Sequence, residues 1–90
     1  MPKYASIGTD TYQWWVTRND GTVLTGTVEK NRGWGSKWSA MVTFDDGEAV
    51  VTPQGGRITG HGDTRKVATE RAIHNHVIGE DGRWLAIMNT

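Results

Sequence analysis

From Lys37 to Phe44 the chain alternates strictly. Trp38, Ala40, Val42 and Phe44 fall on one side of an extended backbone, and Lys37, Ser39, Met41 and Thr43 on the other. Asp45-Asp46-Gly47 follows at once. A period of two closed by turn residues predicts a half-buried antiparallel strand entering a hairpin. A second alternating run, Gln13 to Arg18, places Trp14 and Val16 on one face and Trp15 and Thr17 on the other. Asn19-Asp20-Gly21 then turns the chain, with Gly21 suited to the left-handed position. The next strand, about Thr22 to Lys30, groups Leu24, Gly26 and Val28. A glycine-rich loop, Asn31 to Ser36, leads back to Lys37. Beyond the Asp45-Asp46-Gly47 turn, strands are expected over Glu48–Thr52 and Arg57–Thr59, separated by Pro53-Gln54-Gly55-Gly56. Residues 1–11 carry no clear period and read as an edge strand or a partly disordered segment.

The texture changes after residue 62. Asp63 or Thr64 offers an N-cap, Arg65–Ile78 contains neither glycine nor proline, and Gly79 stands where a C-cap glycine belongs. A helix over about 64–78 is predicted. Its apolar side is broad and ill-defined: Val67, Ala68, Ala72 and Ile78 share one side, with Ile73 and Val77 beside it. Arg83–Met88, after Glu80-Asp81-Gly82, reads as a last strand in which Trp84, Ala86 and Met88 alternate with Leu85 and Ile87. The fold class is therefore α+β: an antiparallel sheet of four or five strands with one helix packed on one face, in a single domain spanning 1–90. The expected inner face is Trp14, Val16, Leu24, Val28, Trp38, Ala40, Val42 and Phe44, met by Val67, Ala68, Ile73 and Val77.

Composition sharpens this picture. Leu24 and Leu85 are the only leucines and Phe44 the only phenylalanine, so valine, threonine and tryptophan dominate, which favours sheet. Each of the five tryptophans removes about 150–250 Å² from water when buried. A domain of ninety residues has little interior for all of them. Indoles left outside form an apolar patch, and such patches mark contact surfaces. Net charge is zero, so no long-range field draws the chain to nucleic acid or a membrane, and colloidal solubility is lowered. There is no cysteine, which removes disulfides, thiolate metal sites and cysteine nucleophiles and suits a reducing cytoplasm. No apolar run approaches the roughly 20 residues that span a bilayer, and the first residues lack a secretory apolar stretch.

Charge is unevenly placed. In a meander the first and third turns share one end, which gathers Asp20, Asp45, Asp46 and Glu48. The opposite end carries Lys30, Arg32 and Lys37 with no acid among them. Cations interleaved with Trp34, Trp38 and glycines suit phosphate contact and base stacking. The alternative is a solvated loop whose Trp34 folds back on the sheet, since three cations make only a weak phosphate site.

Other chemistry finds less support. Gly60-His61-Gly62-Asp63-Thr64 approaches a helix but matches no nucleotide-binding spacing, and Asp63 repels an anion, so it reads as a flexible loop and a cap. His74 and His76 lie about 200° apart on a helix and cannot chelate one ion. His74 falls near the apolar side and reads as a hydrogen-bonded core or interface group. Ser6, Ser36 and Ser39 sit in no nucleophile motif. No catalytic set, metal site or cofactor is assigned.

The stretch Trp34-Gly35-Ser36-Lys37-Trp38-Ser39-Ala40, then a hairpin, a glycine turn and the helix opening Thr64-Arg65-Lys66-Val67-Ala68, resembles the three-stranded-sheet-plus-helix DNA-binding domains of ethylene-response-type transcription factors and integrase arm-binding regions. The resemblance covers about residues 30–78. It implies that a sheet face enters the DNA major groove, read by Arg and Trp on the strands. Here Lys37, Ser39, Met41 and Thr43 occupy those positions, with one cation where the family has several. The short, cysteine-free, tryptophan-rich chain also looks like the small uncharacterised proteins of actinobacteriophages. That resemblance implies a role in binding a host protein within the host cytoplasm.

Two functions are expected from this. The first is a non-enzymatic protein-binding module, self-associating or not, that uses an exposed patch of Trp15, Trp34 and Met41. The second is nucleic-acid binding through Lys30, Arg32, Trp34 and Lys37 and the neighbouring sheet face.

Overall fold

The computed structural model describes residues 2–33, 35, 37–51 and 56–78. Five strands, β1 (Lys3–Gly8), β2 (Thr11–Thr17), β3 (Val23–Lys30), β4 (Trp38–Thr43) and β5 (Thr59–Gly62), form one antiparallel sheet in the order β1-β2-β3-β4-β5. One helix, α1 (Arg65–Ile78), lies across β4 and β5 and reaches β3. The fold is α+β, a five-stranded antiparallel sheet with one helix against it. The expected final strand Arg83–Met88, the Gly79 cap and Trp34 lie outside the described residues.

Pairing fixes which side chains share a face. Trp14 stands opposite Gly26, and Gly26 opposite Val42; Val28 stands opposite Ala40, and Ala40 opposite Gly60. Alternation then puts Tyr4, Tyr12, Trp14, Val16, Leu24, Val28, Trp38, Ala40, Val42 and Gly60 on the helix-covered face. Trp14, Val28, Ala40 and Val42 are essentially removed from solvent. Trp14 achieves this by laying its indole over Gly26: a Cβ there would stand 2.4 Å from Trp14 Cζ2. Its Nε1–H donates to the Thr27 carbonyl at 3.1 Å, so the one polar atom of the ring is satisfied.

Four expectations change. Phe44 is exposed (57 %) rather than inside. The strand stops at Thr43, and Phe44 opens the tight turn: its N–H donates to the Glu48 carbonyl and its carbonyl accepts from the Gly47 N–H. Gly47 takes φ 89° there, a left-handed value open to glycine. Leaving the ladder at Phe44 releases it from the alternation. Second, within the expected strand Glu48–Thr52 the described residues 48–51 form no regular strand but isolated bridges, Thr43 to Ala49 and Val51 to Arg57. Third, Gly60-His61-Gly62 is strand rather than flexible loop, because its glycines admit the helix: a Cβ on Gly60 would lie 2.2 Å from the Ala72 nitrogen.

The fourth change concerns the helix face. Thr64 supplies the cap, its Oγ1 accepting the Val67 N–H at 3.1 Å. The buried residues are Ala68, Thr69, Ala72 and His76. Ile73 packs against the core, while Val67 and Val77 are half-buried. Small residues sit inward because the glycines of β5 bring the two backbones together. Thr69 is buried without an orphan hydroxyl, since its Oγ1 donates to the Arg65 carbonyl at 2.9 Å. His74 is exposed and His76 is the buried imidazole. Among the described residues no helix is long and apolar enough to cross a membrane.

Candidate functional site

The side of the sheet away from α1 carries Gln13, Trp15, Thr25, Thr27, Ser39, Met41, Thr43 and His61. Trp15 and Met41 share this open face, but they are not neighbours. Trp15 pairs with Thr25 and Met41 with Thr27, on opposite sides of β3. Both are half-buried, with threonines between them. Among the described residues, the charged strand residues on this face are Lys3 and Glu29.

Lys30, Arg32 and Lys37 are all exposed at one end of the sheet. The Asn31 N–H donates to the Lys37 carbonyl at 2.7 Å and closes the loop, which keeps these cations near one another. Lys30 ends β3 opposite Trp38 on the helix-side face. Asp20, Asp45, Asp46 and Glu48 occupy the far end, as the meander requires. There the Thr22 hydroxyl donates to Asp20 Oδ1 at 2.6 Å and the Thr22 N–H at 2.9 Å. The hydroxyl bond first, then the backbone bond, with the Arg18 charge adding, hold the Asp20 carboxyl below its ordinary pKa.

The acidic end also holds a recess. Val23, Leu24, Val42, Phe44, Val50 and Val51 line a groove of about 510 Å³, with Asp45 and His76 in its wall. Of the four large apolar side chains exposed among the described residues, Val23 (55 %), Phe44 (57 %) and Val51 (50 %) lie here and Ile7 lies elsewhere. Sequence reading missed this groove because it treated Phe44 as core and Glu48–Thr52 as strand. Pro53, two residues after Val51 in a segment without clean alternation, was the signal against a regular strand here.

Two further clusters join residues distant in sequence. The Arg65 guanidinium sits 4.0 Å above the Tyr4 ring and 4.4 Å above Tyr12, and Tyr12 leans on Trp38 at 6.2 Å between centroids. The tyrosine faces are thereby taken by the cation and tie α1 to β1 and β2, where the helix itself does not reach. On the open face, Asn31 Nδ2 donates to Ser39 Oγ at 2.7 Å, and Ser39 Oγ stands 2.9 Å from His61 Nδ1. The Ser39 hydroxyl thus bonds the Asn31 amide on one side and the His61 imidazole on the other. The Asn31 amide occupies a lone pair of the serine oxygen, and the strand N–H groups around it serve the sheet ladder. The trio is thus a local bracket between the β3–β4 loop, β4 and β5. Among the described residues no three His, Asp or Glu side chains converge as a metal site would require.

Comparison with known protein families, with characterised proteins and with solved structures finds no match to this chain.

Proposed function

We propose that the chain is a non-enzymatic protein-binding module, and that its contact surface is the groove between Val23, Phe44 and Val51. One observation carries this reading: among the described residues, three of the four exposed large apolar side chains converge on a single recess. An isolated exposed valine means little, whereas a cluster around a concavity marks a contact surface. The occupant is specified by charge. Asp45 stands in the groove wall, and Asp20, Asp46 and Glu48 lie on the two turns at the same end. A partner segment with an apolar anchor flanked by lysine or arginine matches both features.

Phe44→Ser with Val51→Ser removes the anchor without touching the core, as both side chains are exposed. Immobilised wild-type chain is expected to retain a partner from a nuclease-treated lysate of its source cells, and the double variant to lose that same partner at unchanged circular dichroism. Equal capture by both chains would overturn the proposal.

A second reading, nucleic-acid binding, is favoured by the segregation of Lys30, Arg32 and Lys37 at the end opposite the acids. Among the described residues, however, the open face offers only Lys3 as a strand cation. It expects retardation of duplex or single strands at low salt, lost steeply as salt rises and weakened at all sequences by Arg32→Ala with Lys37→Ala. No retardation at low salt would remove it.

A further inference from the structure

The two edges of the sheet are treated differently. On β5, Arg71 Nη1 donates to the His61 carbonyl at 2.7 Å, and Asn75 Nδ2 donates to the Thr59 carbonyl at 2.8 Å. An incoming strand would have to break both bonds. On β1, no hydrogen bond to the outward groups of Tyr4 or Ser6 is made among the described residues. β1 is six residues long, almost wholly exposed and free of proline, and Lys3 is its one charge. Its flanking bulge, between Ser6 and Gly8, carries Ile7 at 56 % exposure. Such an edge invites pairing with another strand.

The ladder also sets which groups are on offer. The Arg18 N–H donates to the Thr22 carbonyl, so alternate β2 residues Val16, Trp14 and Tyr12 bond towards β3, and Gln13 and Trp15 towards β1. Their partners Ala5 and Lys3 therefore face inward, and Tyr4 and Ser6 present their N–H and carbonyl groups outward.

We infer that β1 pairs with β1 of a second copy of this chain, antiparallel about a two-fold axis at Ala5, extending the sheet from five strands to ten. This register places Tyr4 opposite Ser6 of the other copy, so the four outward-facing residues at the junction bond one another reciprocally, as an isologous contact demands. Ala5, with a single methyl as side chain, meets itself at the close, non-bonded pair on the axis. Lys3 falls opposite Ile7, keeping the two lysines apart, and its aliphatic stem covers the exposed isoleucine. This surface is separate from the groove and the inference stands without it.

Sedimentation across a concentration series tests it. The wild-type chain is expected to move from 10.0 kDa to twice that mass as concentration rises. Ile7→Lys, which sets lysine against Lys3, should weaken the dimer about tenfold, while Ile7→Glu should hold or tighten it. Both changes are at an exposed side chain, and unchanged circular dichroism verifies folding. Phe44→Ser with Val51→Ser should leave the mass untouched, which separates this contact from the groove. A wild-type chain that stays monomeric, or lysine and glutamate variants that behave alike, would overturn the inference.

Discussion

Gly60 of β5 lies directly against the backbone of Ala72 in α1. A Cβ built on the glycine would stand 2.2 Å from the Ala72 nitrogen and 2.4 Å from the Ala68 carbonyl oxygen. Both obstacles are backbone, so no side chain can rotate away. Gly60→Ala is expected to lift the helix off the sheet and lower stability by about 3 kcal/mol. Gly33→Ala, with nothing within 4 Å of its Cβ, should change stability by no more than about 0.5 kcal/mol. Urea denaturation of the two variants decides it; equal stabilities would refute the close approach.

This contact also shows how far the sequence could be read. The strands at Trp38–Thr43 and Val23–Lys30 were legible because one face is mostly apolar and the other mostly threonine, serine and charged residues, and the sequence records that directly. The helix was legible from its cap and its lack of glycine. The role of Gly60 and Gly62 was not, since a glycine in a strand has meaning only once the helix above it is placed. Phe44 misled for a related reason: the alternation runs through it, but the hydrogen bonds of the turn do not. With Phe44 misplaced, the groove it lines was invisible. Thr69 and His76 hid the buried face of α1, because polar side chains go inside only where local partners exist, and composition does not reveal partners. The cationic loop and acidic turns were readable as a polarity of the meander, since that follows from strand order alone.

The Tyr4 hydroxyl is buried among the described residues without a hydrogen-bond partner. An orphaned donor costs about 1–3 kcal/mol relative to a solvated one. Tyr4→Phe retains the ring beneath Arg65 and removes the orphan. Thermal unfolding should show the variant as stable as the wild type or up to about 1 kcal/mol more stable. A clear loss would mean that the hydroxyl has a partner.

Arg65 begins a helix whose first turn has no acid, so its charge opposes the helix macrodipole. Its position 4.0 and 4.4 Å above two tyrosine rings compensates this. Cation–π contacts of this kind contribute about 0.5–2 kcal/mol, according to their desolvation. A double-mutant cycle of Arg65→Met and Tyr12→Leu is expected to give a coupling of about 1 kcal/mol that persists at high salt. Coupling near zero would leave the pair as mere proximity. By contrast, the exposed Lys66–Glu70 pair, 3.8 Å apart, should give little and lose it with salt.

Acid should loosen the β2–β3 hairpin before it loosens the core. The Asp20 carboxylate accepts two bonds from Thr22, whose hydroxyl in turn accepts the Arg18 Nε–H at 2.8 Å. These bonds favour the charged form, so the folded pKa lies below the unfolded one. The associated stabilisation is complete above the ordinary aspartate value and is lost as pH falls through the lowered folded value, a window beginning below about pH 4. Carboxyl NMR should place the Asp20 midpoint below the ordinary aspartate value. Thr22→Val removes the largest cause and should return the midpoint towards the ordinary value. Asp20→Asn should flatten the acid-induced exchange of the Arg18 and Gly21 amides, whose N–H groups close this turn. A wild-type midpoint at or above the ordinary value would show that Thr22 does not hold the charged form.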